Sequence, residues 1–307
     1  MATHRISRRP LAAAIGLFLL AFTGSAVAAS PQPETDANFG ASYSYRTVDY
    51  PGATSTIIWG LNDWGDLAGQ YTPATPPAHA MAYRNRRFET LDPDGLFGDY
   101  FAAAGGPTEF GLLFGGYSDA SAQQHGFLLQ WGLVQTVDFA GHLNSNIDGV
   151  SIFGDIAGVY WDADGVYHGV LRHRGRDTSI DVAGARDTYP LGINANSEIV
   201  GYWDAIPNQL RGFRRSANGQ VSYIDVPGAG PGGTAAFGIN DLDQVSGYFV
   251  DTAGLVHGFV QTRGQFKHLD VPGAAATIAT AINNFGVVAG EYIDTAGHRH
   301  GFVATPW

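Results

Sequence analysis

A unit that returns six times within 307 residues restricts the fold of this chain more than any other feature. The cleanest copy runs Gly238-Ile239-Asn240-Asp241-Leu242-Asp243-Gln244-Val245-Ser246-Gly247-Tyr248-Phe249, continues through His257-Gly258-Phe259 and ends at Leu269-Asp270-Val271-Pro272-Gly273-Ala274. The aspartate ahead of the Pro-Gly-Ala turn, or its equivalent, recurs as Asp49, Asp92, Asp138, Asp181, Asp225 and Asp270. A small polar residue recurs as Asn62, Thr108, Ser151, Asn194, Asn240 and Asn283. Nine residues after each comes an aromatic: Tyr71, Tyr117, Tyr160, Trp203, Phe249 and Tyr292. Eight beyond that stand His79, His125, His168, Arg211, His257 and His300. Two spacings held through six copies define a structural repeat.

Each unit contains four short runs rich in Val, Ile, Phe and Tyr, as in Ala235 to Asn240, Gln244 to Val250, Val256 to Thr262 and Gln265 to Val271. Asn-Asp, Asp-x-x-Gly and Pro-Gly punctuate them, which is strand-and-hairpin chemistry. Four antiparallel strands in about 44 residues is the size of a propeller blade. The last unit stops after its third strand, at Trp307, while the first opens with an orphan strand, Tyr45-Arg46-Thr47-Val48-Asp49. Pairing the two would close a ring and remove two sheet edges open to aggregation. The expectation is an all-β, six-bladed β-propeller of four-stranded blades over residues 44–307, with a β-solenoid or an open repeat array as the alternative.

These units resemble the HAF repeats of predicted extracellular bacterial proteins, named for a His-Ala-Phe triplet. The triplet reads His-Gly-Phe at His125, His257 and His300, His168-Gly169-Val170 in the third unit and His79-Ala80-Met81 in the first; Arg211-Gly212-Phe213 departs from it. The resemblance spans essentially all of the chain after its N-terminus. It implies an exported repeat protein and brings no established activity.

Residues 1–28 read as an export signal. Arg5, Arg8 and Arg9 supply the basic region, Leu11 to Phe22 the apolar run, and Ala26-Val27-Ala28 the small-residue cleavage site. Ser7-Arg8-Arg9-Pro10-Leu11 also matches a twin-arginine signal loosely, which leaves the general and twin-arginine routes both open. Either places the protein in the periplasm or outside the cell. Residues 29–43 read as a flexible lead-in. Cleavage would take three arginines and no acid from a formal charge of -11, leaving -14. Such acidity argues against nucleic acid or an anionic membrane as partner, and the mature chain is expected to be a soluble monomer. With no cysteine, disulfides, thiolate nucleophiles and cysteine-held metals are excluded.

The recurring histidines tempt a metal reading, but equivalent positions of a ring are whole blades apart, so no metal site and no cofactor are expected. A ring nitrogen bonded to the aspartate of its own repeat is the simpler account. Gly228-Ala229-Gly230-Pro231-Gly232-Gly233 contains Gly-x-Gly-x-x-Gly, yet a strand follows it where phosphate binding needs a helix start. Asp162-Ala163-Asp164-Gly165 lacks the distal ligands of a calcium loop.

A site is better sought where blades break the repeat. The interval from the turn aspartate to the small polar residue is 13 in four units, 16 after Asp92 and 15 after Asp225, so length varies on the face made by the second-to-third-strand and blade-to-blade loops. The longest loop carries Asp94, Phe97, Asp99, Tyr100 and Phe101. The inner strands are mostly apolar or small, but blade three reads Asn144-Ser145-Asn146-Ile147-Asp148, with Asn146 and Asp148 on one side by strand alternation, and Arg186, Asp187 and Tyr189 lie at the neighbouring blade. The loop residues, with Asn146, Asp148, Asp187 and Arg211, form the expected ligand-binding set for a small molecule, glycan or protein. The enzymatic alternative is a hydrolase, lactonase or lyase with Asp148 as base and Arg186 or Tyr189 steadying developing charge.

Overall fold

The structure is a computed structural model and describes residues 42–91, 102–139, 141–142, 144–206 and 209–307. The expected signal, most of the lead-in and the stretch holding Asp92, Asp94, Phe97, Asp99, Tyr100 and Phe101 lie outside those residues. Twenty-four strands make six antiparallel sheets of four, a six-bladed β-propeller. The inner strands are Ser55–Leu61, Ala102–Gly105, Ser145–Val150, Asp187–Ile193, Thr234–Ile239 and Ala276–Ile282. Five sheets are contiguous in sequence. The sixth takes its outer strand from Tyr43–Thr47, paired antiparallel with Arg299–Pro306 from Tyr43↔Pro306 to Thr47↔Phe302. That strand begins inside the expected lead-in, at its last residue.

The core lies between blades. The third residue of the His-Gly-Phe triplet is buried without exposure in Phe127, Phe213, Phe259 and Phe302, and Met81 takes the same place in blade one. Val200 of blade four packs with Ala236, Val245 and Phe259 of blade five, and Ile58 and Leu67 of blade one pack with Ala289 and Val303 of blade six. In five inner strands the register shifts at the fourth and fifth positions, as between Ile147 and Gly149 or Ala236 and Gly238. Such a bulge turns one side chain out of the ladder: Trp59, Asp148, Leu191, Phe237 and Thr280. The paired second strand answers it with glycine. A Cβ at Gly247 would come within 2.1 Å of the Ala235 carbonyl oxygen, and one at Gly158 within 2.2 Å of that of Asn146.

The small polar column joins the blades. Asn240 Oδ1 accepts from the amides of Leu242 and Gln244 (3.0 and 2.9 Å), while its Nδ2 donates to the carbonyl of Asn283 in the next blade at 2.8 Å. Asn194 donates to Asn240, Asn283 to Asn62 and Asn62 to Thr108 in the same way. The result is a girdle running from blade four through six and one to two. The bond from Asn283 to Asn62 also carries it across the junction between the last blade and the first.

Candidate functional site

Four histidines of the column spend both ring nitrogens on aspartates. His257 Nδ1 lies 2.9 Å from Asp270 and Nε2 3.4 Å from Asp251; His300 reaches Asp49 at 2.8 Å and Asp294 at 3.4 Å. His125 and His168 repeat the arrangement with Asp138 and Asp119, and with Asp181 and Asp162. Each clamp ties the second-to-third-strand loop to the turn that leads into the next blade. Among the described residues no group of three or more metal-ligating side chains is assembled.

Two blades lack the loop aspartate of the clamp: blade one carries Pro73 there but keeps the histidine, His79, whereas blade four has lost both. Its loop carries Ala205 two residues after the aromatic, where the four clamped blades carry aspartate, and Arg211 replaces histidine. Arg211 pairs with Asp225 at 2.5 Å, and its guanidinium lies 4.7 Å from the centre of the Tyr223 ring and 5.7 Å from that of Trp203. Beside it the lengthened turn opens a pocket of about 360 Å³ whose wall includes Trp203, Ile206, Gln209, Arg211, Asp225 and Pro231. Gly233 shapes the far side: its φ is +76°, and a Cβ there would lie 1.8 Å from the Leu210 carbonyl oxygen. The buried Nε1 of Trp203 has no hydrogen-bond partner. Arg211 was legible as a break in the repeat, but Trp203 and Gln209 were not, since one belongs to the packing column and the other to a loop without a period.

A second polar cluster lies on the walls of blades three and four. Asn146 Nδ2 donates to Asp148 Oδ1 at 2.5 Å, and Asn146 Oδ1 fills the space that a side chain at Gly116 would need. Asp148 keeps some exposed surface, yet its Oδ2 is buried and unpartnered. Burial pushes its carboxyl well above the usual range, against the opposing bond from Asn146. Asp187 and Asp204 face each other across the first two strands of blade four, both buried. Asp187 accepts from the Tyr167 amide at 2.9 Å and from Arg186 Nη1 at 2.5 Å. Asp204 Oδ1 is buried without a partner, and burial, followed by the Asp187 charge, raises the Asp204 carboxyl. Tyr189 stacks on Tyr202 at 4.6 Å, and burial raises both phenols.

Asp148 and Tyr189 both border Tyr202: Tyr189 stacks on its ring, and the Asp148 charge adds to burial in raising its phenol. Arg186 is engaged by Asp187 and Tyr189 by its neighbour Tyr202, while Asp148 occupies the bulge, toward the opposite end of its strand from the variable loops. Beside these groups Tyr189, Leu191, Phe237 and Ile278 pack against buried Tyr202 and Tyr248.

No family model matches the chain, and no curated protein matches it. Solved structures do. A TolB-type protein from Agrobacterium tumefaciens is 13% identical at a TM-score of 0.55, over 82% of this chain and 90% of that one. AofleA from Arthrobotrys oligospora is 13% identical at 0.54, over 85% and 86%. The Aleuria aurantia lectin in complex with Fucα1-6GlcNAc is 8% identical at 0.50, over 81% and 91%. At these identities the likeness is one of fold.

Proposed function

We propose that the protein is an exported propeller that binds a neutral, polyhydroxylated ligand of mono- or disaccharide size in the pocket between blades four and five. The observation that carries this reading is the replacement of the histidine clamp by Arg211 and Asp225 beside an open pocket. A guanidinium and a carboxylate side by side offer donors and acceptors to adjacent hydroxyls. Exposed Ile206 and Pro231 give the apolar surface that a sugar's C–H face requires. A volume of about 360 Å³ falls at the small end of ligand pockets. The Aleuria aurantia lectin lends support as a protein of this fold solved with a fucosylated disaccharide. The export signal and the HAF-like repeat support the location.

A glycan microarray probed with the fluorescent mature protein tests the reading. Binding to a defined terminal sugar, competed by the free monosaccharide, is the expected outcome; a blank array together with no thermal shift from a panel of monosaccharides and polyols would remove it.

The raised, half-orphaned carboxyl of Asp148 supports a second reading, in which it serves as a general base inside the ring. Lactone and ester hydrolysis by wild type and Asp148→Asn decides it: activity in the wild type that the variant lacks favours an enzyme.

A further inference from the structure

The face opposite the variable loops carries a feature that neither the repeat nor the pocket accounts for. Two residues after the small polar column, at the tip of the first hairpin, stand Trp64, Phe110, Phe153, Leu242 and Phe285, exposed by 66–79%. Blade four alone has a polar residue there, Asn196. Turn tips of this kind ordinarily carry Gly, Asn, Asp or Ser, and five of the six blades place a large apolar side chain at the same height around the ring. Exposed Trp131 and Leu133, on the outer turn of blade two, and Trp307 share the face. Among the described residues, nine of the thirteen exposed large hydrophobics are gathered on it once Ile152 is included. Packing of the blades explains none of them.

Within this apolar crown the mouth is acidic. Asp63 Oδ2 and Asp241 Oδ2 each accept from Asn284 Nδ2 at 3.0 Å, which holds the two carboxylates on either side of one amide. Glu109 Oε1 accepts from the Asp63 amide at 2.9 Å. Burial, and then the charges of Asp63, Asp241 and Asp66, raise the Glu109 carboxyl, so these groups feel one another across the opening. Arg86, Arg174 and Arg263 stand farther out, on the exposed outer turns. Between Leu242 and Phe285 the face deepens into a groove of about 670 Å³ whose wall holds Phe266 and Pro306 together with the cations Arg263 and Lys267, so an entering cation is directed to the acidic mouth and the groove is left for apolar contact.

We propose that this face docks a protein partner that presents a lysine or arginine flanked by large apolar side chains, the cation entering the acidic mouth and the apolar residues covering the crown. Five tips at this exposure offer on the order of 600 Å² of apolar surface, close to the ~800 Å² that each partner contributes to an ordinary interface. A second copy of the chain would set one acidic mouth against another. An anionic lipid surface would meet the same carboxylates at the centre of its contact. A basic, apolar segment is repelled by neither feature.

Selection of a random dodecapeptide phage library on the mature protein tests the proposal, with counter-selection on the triple variant W64S/F110S/F285S. All three side chains are exposed, so the variant should melt with the wild type; circular dichroism and a melting curve establish that first. The expected result is enrichment of peptides with Lys or Arg beside two or more large apolar residues. Their affinity should fall at least tenfold in the triple variant and weaken in D63N/D241N, in which the remaining oxygens still accept from the Asn284 and Ala195 backbone amides while the two bonds from Asn284 Nδ2 are given up. Enriched peptides without a cation, or bound equally by the triple variant, would overturn the proposal. So would sedimentation with phosphatidylcholine or phosphatidylglycerol vesicles that the triple variant abolishes, since the crown would then be a lipid contact. Glycan binding at Arg211 should be unchanged in every one of these variants.

Discussion

At residue scale, one substitution separates scaffold from candidate site. Histidine between two aspartates is a pH-dependent clamp. For His257 the bond and charge of Asp270 raise the imidazole pKa against burial; for His168 and His300 burial opposes, but Asp181 and Asp162, and Asp49 and Asp294, outweigh it. A pKa raised in the folded state adds stability that is complete below the unfolded value of about 6.5 and is lost as pH rises through the folded value. The raised carboxyls of Asp148 and Asp204 act in the same sense. Those lowered by backbone amides and histidine, with Asp294 brought down to about 2, lose their contribution only in strong acid. We therefore expect the melting temperature to be highest near pH 5–6 and to decline toward pH 9, with a shallower decline in His257→Asn; a flat profile in both would contradict the clamp. Asp148 allows a second check. Because burial disfavours its charge, Asp148→Asn should melt higher than wild type at pH 8, by a few degrees for ~1 kcal/mol in a chain of this size. A lower melting point would mean that the ionised carboxylate is held by bonds worth more than its desolvation.

At the scale of elements, strands and hairpins were legible because their chemistry repeats. The runs read as Val256 to Thr262 and Gln265 to Val271 become the strands Val256–Thr262 and Gln265–Leu269. The asparagine column was legible only in part. That Asn240 would bind the backbone just beyond it follows from its short acceptor, whereas the donor it sends to Asn283 in the next blade depends on how blades sit side by side, which no local pattern specifies. Removing it should therefore cost more than a turn. Asn240→Ala would leave the amides of Leu242 and Gln244 without their acceptor and take one of two donors from the Asn283 carbonyl, and should destabilise by about 2–4 kcal/mol, read by urea denaturation. Asn284→Ala, at the exposed end of the same network, should cost clearly less. Equal losses would mean that the girdle is not what the buried column provides. Loop length was a good guide to the pocket near Gly228–Gly233 and blind to the opposite face. There turn length changes by a single residue, before Asp225, and the apolar tips show only when the six copies are aligned two positions beyond the asparagine.

At the scale of the whole molecule, both ends of the described chain meet in one sheet. Closure was readable from an odd strand at each end, and the structure adds what holds it: the ladder from Tyr43 to Thr47, the His300–Asp49 clamp and the Asn283–Asn62 bond. Deleting residues 29–49 should expose the edge of Arg299–Pro306 and lower solubility and cooperativity together, and a sharp wild-type melt in the deleted protein would contradict the closed ring. What the sequence left open was which irregularities matter, because blade count sets Asp148, Arg186 and Tyr189 side by side without showing that Arg186 is spent on Asp187 and that Tyr189 stacks on Tyr202. The account's central claim is that function lies where a blade abandons the shared clamp. Isothermal titration of wild type and Arg211→His with the sugar identified on the array tests it most directly. Histidine can bond Asp225 as it bonds the turn aspartate elsewhere, so the fold and melting temperature should persist while affinity falls at least tenfold; an Arg211→His protein that binds as tightly as wild type would place the ligand elsewhere on the ring.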